Sequence, residues 1–290
     1  MSKTTAPLAC PVLAYHSQNV FANRYGQNDH LSLAQDLAAL QAIGKRVVPL
    51  TWLVDWVLGR RPDADLKDAV CITFDDGCNL EVFDLEFPGH GLQQSFVSIL
   101  KRFRDQFISQ GQSDLQATTF VIASPEAREL IDTESLFGDD WMSDDWWAQV
   151  QADGLLDIQS HGWDHKHPSQ DHSGQDERPH GRFDTVSTYE ECELQVRRSA
   201  LLIAERAQRD SPQLFAYPYG KSSEYIRETY FPENAQTLGI EAAFSTTPEH
   251  VSRRSDRWAL PRYVCGRDWK TSERFLDVLN GQNAGNADNT

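Results

Sequence analysis

The fold of this chain is decided by the stretch Ala69-Val70-Cys71-Ile72-Thr73-Phe74-Asp75-Asp76-Gly77. Its first six residues are almost entirely apolar and rich in β-branched and aromatic side chains, which predicts a strand buried on both faces, as in a parallel sheet. Ligands of α/β sheets and barrels collect at the carboxyl ends of such strands. We therefore expect the two carboxylates, followed by a glycine that permits a sharp exit, to face a functional cleft. A plain Asp-Asp-Gly turn is the alternative.

Two later segments end in a similar way. Residues 155–160 form a second strand-like run, which leads into His161-Gly162-Trp163-Asp164-His165. A third run, residues 214–217, leads into Pro218-Tyr219-Gly220. Two histidines four residues apart reach the same side of a helical turn or tight loop, so both imidazoles can meet one ion. One carboxylate and two imidazoles leave coordination positions open for water, which is typical of a catalytic metal.

These three segments resemble, in this order, the first three motifs of the NodB-type polysaccharide deacetylases, which form carbohydrate esterase family 4. Residues 73–77, 160–165 and 215–220 carry the resemblance, which covers roughly residues 10–270. It implies an α/β fold, a distorted, TIM-like (β/α) barrel of seven or eight strands in a single domain. It also implies a divalent metal, zinc first with cobalt, nickel or another ion as alternatives, and removal of N-acetyl groups from an amino sugar or polysaccharide.

The resemblance also assigns roles to residues. It implies that Asp76, His161 and His165 hold the metal and that Asp75 is the general base for a water bound to it. By the same analogy the backbone N–H of Tyr219 stabilises the oxyanion. Three more residues of these motifs are expected at the substrate: Trp163, Tyr217 and Pro218.

Two positions depart from the family pattern. Many relatives have an arginine two residues before the motif proline, where this chain has Ala216. We expect Arg262, on the last predicted strand, to enter from across the barrel and pair with Asp75. The usual acid, a histidine in a late Leu-x-His motif, is absent after residue 250. His16, at the end of the first predicted strand, is the candidate proton donor, and a water on the metal is the rival.

Composition limits the other function classes. A chain of 290 residues fits one barrel, and five cysteines without a CxxC pair indicate a reducing compartment. The net charge of −16 argues against nucleic acid or an anionic membrane as a partner. We recognise no signal peptide and no transmembrane segment, so we expect a cytoplasmic protein, with export by another route left open. Its expected partner is an N-acetylated carbohydrate, and the oligomeric state is unreadable.

Alternating strands and helices predict one barrel over residues 10–280, between an N-terminal extension (1–9) and a flexible tail (281–290). An insertion near residues 78–90 either shapes the substrate groove or packs as a cover, and the next helical stripe starts at Leu92. A polar insertion near residues 166–187 carries His167, His172 and His180, which we expect at the surface rather than on the metal. Ser32 is predicted to cap the first helix.

Two other functions stay open. One is hydrolysis of another acyl amide, such as a formamido sugar or a non-sugar C–N bond. The other is a catalytically impaired, carbohydrate-binding barrel. The adjacent Asp75 and Asp76 favour an enzyme, because binding alone has no use for a base beside the metal.

Overall fold

The computed structural model describes residues 7–168 and 182–282. The strands are β1 (Val12–Tyr15), β2 (Arg46–Val47), β3 (Ala69–Asp76), β4 (Leu85–Phe87), β5 (Gly91–Gln93), β6 (Ala117–Val121), β7 (Leu156–Ser160), β8 (Leu214–Ala216), β9 (Ala242–Phe244) and β10 (Tyr263–Val264). The helices are α1 (Asp29–Ala42), α2 (Leu50–Val57), α3 (Asp63–Leu66), α4 (Phe96–Phe107), α5 (Pro125–Ser135), α6 (Trp147–Asp153), α7 (Tyr189–Cys192), α8 (Ser199–Arg206), α9 (Phe231–Leu238) and α10 (Ser272–Leu279). A π-helical stretch joins α7 to α8, and another precedes α9.

Eight strands form one curved parallel sheet. Its order is β10-β1-β3-β6-β7-β8-β9, and β2 pairs with the first residues of β3. The segment before β10 closes the curve, because Leu260 exchanges backbone hydrogen bonds with the β9 end while β10 pairs with β1. The predicted distorted barrel in a single α/β domain is therefore confirmed. All strand ends that the sequence singled out meet at one mouth of this barrel.

The two faces of β3 pack into different apolar cores. Val70, Ile72 and Phe74 join a core between the sheet and the helices α1 and α4. Ala69 and Cys71 join a second core inside the barrel, to which α2 also contributes. Both faces of β3 pack into apolar cores, and its two carboxylates, Asp75 and Asp76, lie at its carboxyl end.

Helix α1 begins earlier than the sequence predicted. Its cap is Asn28, whose side chain accepts hydrogen bonds from the backbone N–H groups of His30 and Leu31. Ser32 lies inside the helix, and its hydroxyl accepts a hydrogen bond from the backbone of the preceding loop instead. The predicted capping role of Ser32 is wrong because Asn28, a better cap, stands one turn earlier.

The insertion near residues 78–90 contains a hairpin. Strands β4 and β5 pair antiparallel, so Leu92 lies exposed on the hairpin, and α4 starts at Phe96 with Ser95 as its cap. The hairpin packs through Phe87, whose ring centroid lies 5.5 Å from that of Trp141. The contacts of Phe87 are those of a packed cover.

Several sequence predictions fall partly or wholly outside the described residues. The N-terminal extension is described from residue 7, the polar insertion at 166–168 and 182–187, and the tail through residue 282. His172 and His180 lie outside. Within the described ranges, no helix has the length and apolarity needed to cross a membrane. The five cysteines are buried and unpaired.

Candidate active site

Three side chains from two strand ends converge at the mouth of the barrel. Asp76 ends β3, and His161 and His165 follow β7. Oδ1 of Asp76 lies 3.6 Å from Nε2 of His161 and 3.3 Å from Nε2 of His165. The three ligand atoms all lie within 4.8 Å of one another. This is the Asp-His-His set that the sequence predicted, and one cation fits among its atoms.

Left-handed backbone conformations aim two of these ligands. Asp76 has φ of 83° and His165 has φ of 60°, both uncommon for residues other than glycine. Gly77 follows with φ of 76°, and a Cβ at that position would lie 2.8 Å from Cγ1 of Val121. Only glycine fits there, so the turn after β3 requires the glycine that the sequence supplies. Strained turns of this kind occur where side-chain direction matters.

The donor atoms fit a divalent metal. Nδ1 of His161 donates a hydrogen bond to the carbonyl oxygen of Ala216 at 2.8 Å, which leaves Nε2 as the lone-pair nitrogen facing the cluster. Burial lowers the pKa of His161, and lowers the pKa of His165 to about 3, so both rings are in the neutral form that binds metals. Oδ1 of Asp76 is buried and has no hydrogen-bond partner within residues 7–168 and 182–282, a deficiency that a cation would relieve.

Neighbouring side chains hold the ligands in position. Nε2 of Gln18 donates to Oδ2 of Asp76 at 2.5 Å, so this carboxylate has one oxygen bound and one facing the histidines. The hydroxyl of Tyr219 lies 3.0 Å from Nδ1 of His165. Contacts of this kind fix ligand orientation and raise metal affinity. Gln18 was not predicted from the sequence. The available signal was its position two residues beyond His16, in the loop after β1.

Gln195 is a second residue that sequence reasoning missed. It is fully buried, accepts a hydrogen bond from the backbone N–H of Trp163 at 3.0 Å, and donates to Oδ1 of Asp164 at 2.7 Å. Its amide therefore secures the turn between His161 and His165. The signal was a glutamine within an apolar helical stripe, but the π-helical stretch at Glu193–Arg198 shifts the phase of that stripe.

Glu81 is a third. It is fully buried and accepts hydrogen bonds from the backbone N–H of Gly77 at 3.1 Å and from Oγ1 of Thr119 at 2.6 Å. Burial raises the pKa of Glu81 well above its usual value, which favours the neutral acid, although the hydrogen bonds that Glu81 accepts from Thr119 and Gly77 act in the opposite direction. It ties the turn that follows Asp76 to β6. An acid in the apolar stretch after Gly77 was the available signal.

The predicted contact between Arg262 and Asp75 is present. Nη1 of Arg262 donates to Oδ1 of Asp75 at 2.6 Å, and Nη2 donates to Oδ2 at 2.9 Å. Both side chains are buried. Burial opposes ionisation of Asp75, but the charge of Arg262 outweighs it and holds the pKa of Asp75 below its usual range. The carboxylate is thus ionised, oriented and next to the cluster. Its role as the base stays a prediction.

His16 lies on the other side of Asp75. Its Nε2 is 3.9 Å from Oδ2 of Asp75, and its backbone N–H donates to Oδ2 of Asp29 at 2.8 Å. Nδ1 of His16 is buried and has no hydrogen-bond partner in the part of the chain that the structure describes. The side chain is among those that line the cavity. Its role as proton donor stays a prediction.

Three residues predicted at the substrate, Trp163, Tyr217 and Pro218, are not among those that line the cavity. Tyr217 and Pro218 are buried, and the Tyr217 hydroxyl donates to the carbonyl oxygen of Trp258 at 2.8 Å. Side chains alternate along a strand, so Tyr217 packs in the outer core while Ala216 packs inside the barrel. Trp163 is half-buried and stacks 4.0 Å from the Arg198 guanidinium. Their predicted contact with the substrate stays a prediction. Tyr219 does line the cavity.

A cavity of about 280 Å³ opens at these residues. The ring of His167 also lines the cavity, and its centroid lies 6.2 Å from that of His165. The lining residues described above are His16, Gln18, Asp75, Asp76, His161, His165 and Tyr219. His167 is outside the close ligand cluster, and it is half-buried rather than at the surface as predicted. The rest of the lining is Ile122, Ile131, Ser135, Leu136, Met142, Gly220 and Thr246.

The family comparison identifies a match over the central part of the chain. A sequence model of the family described as polysaccharide deacetylase matches residues 63–237, which is more than half of the 290 residues. Asp75, Asp76 and both ligand histidines lie within the match, whereas His16 and Arg262 lie outside it. A search of curated protein sequences finds no significant match.

Solved structures share the fold at low identity. The Streptococcus pyogenes deacetylase PplD, in complex with acetate, superposes with a TM-score of 0.62 at 16% identity, covering 94% of this chain and 99% of that one. IcaB from Ammonifex degensii superposes with a TM-score of 0.57 at 18% identity, covering 94% of this chain and 96% of that one. A de-N-acetylase from Aggregatibacter actinomycetemcomitans superposes with a TM-score of 0.57 at 16% identity, covering 92% of this chain and 99% of that one. At these identities the likeness establishes the fold alone.

Proposed function

The chain belongs to the polysaccharide deacetylase family, and from that premise we propose that it is a metal-dependent hydrolase that removes N-acetyl groups from an amino sugar or polysaccharide. One observation carries the proposal. Two adjacent carboxylates are divided between two environments, with Asp76 in the Asp-His-His cluster and Asp75 paired with a buried arginine. Groups in such different environments can take different roles in one reaction.

The metal has a defined place in this proposal. A divalent cation held by Asp76, His161 and His165 would acidify a water molecule, from a pKa of ~15.7 to about 7 in the case of zinc, and polarise the amide carbonyl. Zinc is the first choice for one carboxylate and two imidazoles, and cobalt and nickel suit the same donors. Gln18, Tyr219 and the buried outer contacts keep the three ligands pointed at one place.

The other residues move protons and bind the substrate. Asp75 accepts a proton from the attacking water, and Arg262 keeps its carboxylate ionised and turned toward the cavity. The backbone N–H of Tyr219 donates to the carbonyl oxygen as negative charge develops there. His16, beside Asp75, gives a proton to the departing amine. Breaking the amide bond adds one water and yields acetate and the free amino sugar.

Two further observations support this direction of chemistry. One structure with the same fold is described as a deacetylase in complex with acetate, the acid product of the proposed reaction. The net charge of −16 also suits a substrate that is neutral and a product that is a cation.

The test is acetate release from N-acetylglucosamine oligomers and from nucleotide-linked N-acetylamino sugars. The protein is stripped with a chelator and then reconstituted with Zn²⁺, Co²⁺ or Ni²⁺. We expect no turnover without metal, restored turnover with at least one ion, and loss of turnover in Asp75→Asn. Asp105→Asn, at an exposed acid on α4, is the matched control and keeps full turnover. A protein that binds these sugars and releases no acetate with any ion contradicts the proposal and indicates a binding module.

A separate variant tests the proton donor. His16→Ala should lower kcat by about 10²–10⁴-fold, the usual contribution of a positioned acid or base. In the same variant, the fall in kcat should be smaller for amides whose leaving amine needs no protonation. Unchanged kcat at saturating substrate would assign protonation of the amine to water.

A further inference from the structure

One side of the active-site cavity is aliphatic. We call Ile122, Ile131, Leu136 and Met142 the aliphatic wall, since all four line the cavity and none has a polar side-chain group that forms strong hydrogen bonds. Ile122 directly follows β6, and the others come from α5 and the chain after it. Ile122, Ile131 and Met142 are buried, and Leu136 is half-buried.

The aliphatic wall begins next to the metal ligands. The backbone N–H of Ile122 donates to the carbonyl oxygen of Asp76 at 3.4 Å, and that of Ala123 donates to the carbonyl oxygen of Gly162 at 3.1 Å. The start of the wall therefore runs between the two loops that carry the ligands. An amide whose carbonyl lies at the ligands has two substituents, and the wall is a surface beside the ligands that one of them can contact.

The wall is a poor surface for a sugar. The carbonyl oxygen of Met142 already accepts from Nη1 of Arg128 at 2.5 Å, and the backbone N–H of Leu136 already donates to Asp132 at 3.2 Å. Ser135 is exposed. Hydroxyl groups buried against this surface would lose hydrogen bonds to water and gain few in return. An alkyl chain loses nothing there and gains from burial.

We propose that the aliphatic wall binds the acyl chain of the substrate and that the preferred acyl group is longer than acetyl. This inference rests on the proposed amide hydrolysis and specifies its substrate class, an N-acyl amino sugar with a short alkyl chain. An acetyl group ends in one methyl, which can contact only part of a wall built from four side chains. The amino sugar then lies toward His16, Gln18 and Thr246, where polar groups are available. Hydrolysis releases the alkyl carboxylate and the free amine, with one water consumed.

The first experiment varies the acyl group and keeps the amine constant. N-acetyl-, N-propionyl-, N-butyryl- and N-hexanoylglucosamine are compared by glucosamine release from the zinc-reconstituted protein. We expect kcat/KM to rise by about fourfold per added methylene, and so about fifteenfold from acetyl to butyryl. In Leu136→Trp the added ring occupies the wall, and the butyryl-to-acetyl ratio falls to one or below. Ile108→Trp, at an exposed isoleucine beyond α4, is the matched control and keeps the wild-type ratio.

The second experiment measures binding without turnover. Calorimetry with acetate, butyrate and hexanoate tests the same surface with the acid products. We expect butyrate to bind the zinc-reconstituted protein about fifteenfold more tightly than acetate, and Leu136→Trp to remove the difference. Ile131→Ala widens the cavity and should move the preference toward hexanoate.

The outcomes separate this inference from the proposed function. Turnover of the acetyl substrate without a gain in rate or binding for longer chains overturns the acyl site and leaves the hydrolase proposal in place. A gain in carboxylate binding that depends on Leu136, with no amide cleaved, supports the site and overturns the hydrolase. A chain-length profile that Leu136→Trp leaves unchanged overturns the site even if longer chains are preferred.

Discussion

Replacing Arg262 with methionine should destabilise the fold by about 3–5 kcal/mol, the cost of leaving a buried charge without its partner. Arg262 is fully buried and Asp75 is only 3% exposed, so water replaces the lost guanidinium poorly. Two more acceptors lose a donor in the variant. Nη1 of Arg262 donates to Oγ1 of Thr73 at 3.1 Å, and Nε donates to the carbonyl oxygen of Ser245 at 3.2 Å.

The measurement is the free energy of unfolding by urea at pH 7, with a chelator present so that metal binding does not contribute. The double variant Asp75→Asn/Arg262→Met should recover at least half of the loss, because no uncompensated charge remains in the barrel. Arg262→Lys should be intermediate, since an ammonium cannot hold both carboxylate oxygens in one fork. Arg104→Met, which removes an exposed contact with Asp105, is the matched control and should cost below ~1 kcal/mol.

The reasoning is refuted if Arg262→Met is no less stable than Arg104→Met. It is also refuted if the double variant is as unstable as the single one. In that case the loss would come from packing around the guanidinium rather than from the orphaned carboxylate.

Three further predictions concern residues away from the reacting atoms. Gln195→Ala should weaken zinc binding by about 10–100-fold in a chelator competition, since it releases the turn between the ligand histidines, whereas Glu205→Ala on the exposed face of α8 should not. Glu81→Gln should stay within ~1 kcal/mol of wild type in urea unfolding because the amide keeps an oxygen that can accept from the Gly77 N–H, and Glu81→Leu should cost about 1–3 kcal/mol because it leaves that N–H and the Thr119 hydroxyl without an acceptor; equal losses would contradict this. Burial raises the pKa of Asp36 to about 7. The folded state thus holds a proton that the unfolded state releases near pH 4, so Asp36 should lower stability by about 1.4 kcal/mol per unit as pH rises from 4 to 7, a fall that Asp36→Asn should lack.

The sequence was sufficient for the strand ends and for the cluster at them. The predicted buried strands are followed by polar residues, among them Asp76 and His161. Polar residues just after buried parallel strands lie at one edge of the sheet, so these two side chains could be placed near each other from the sequence. Arg262 was predictable by a different argument. A buried carboxylate such as Asp75 needs a cationic partner, and the loss of the motif arginine at Ala216 left the last strand to provide it.

Other features could not be predicted because tertiary contacts decide them. Gln195 accepts from the backbone N–H of Trp163, and Glu81 accepts from the hydroxyl of Thr119, both more than thirty residues away along the chain. Such contacts leave no periodic signal. The core into which Tyr217 packs was not predictable, because a motif gives the neighbourhood of a residue and strand alternation decides its side. The start of α1 was misplaced because two polar residues competed for the cap, and Asn28 binds two backbone N–H groups there.

The central claim is that Asp76, His161 and His165 converge on one cation with Asp75 beside it. The most direct measurement is anomalous diffraction at the zinc edge from crystals of the zinc-reconstituted protein. We expect one peak at about 2.0–2.2 Å from Oδ1 of Asp76 and from Nε2 of each histidine, with the Asp75 carboxylate still held by Arg262. A peak ligated by other residues, or three ligands with no ion among them at saturating zinc, would contradict it.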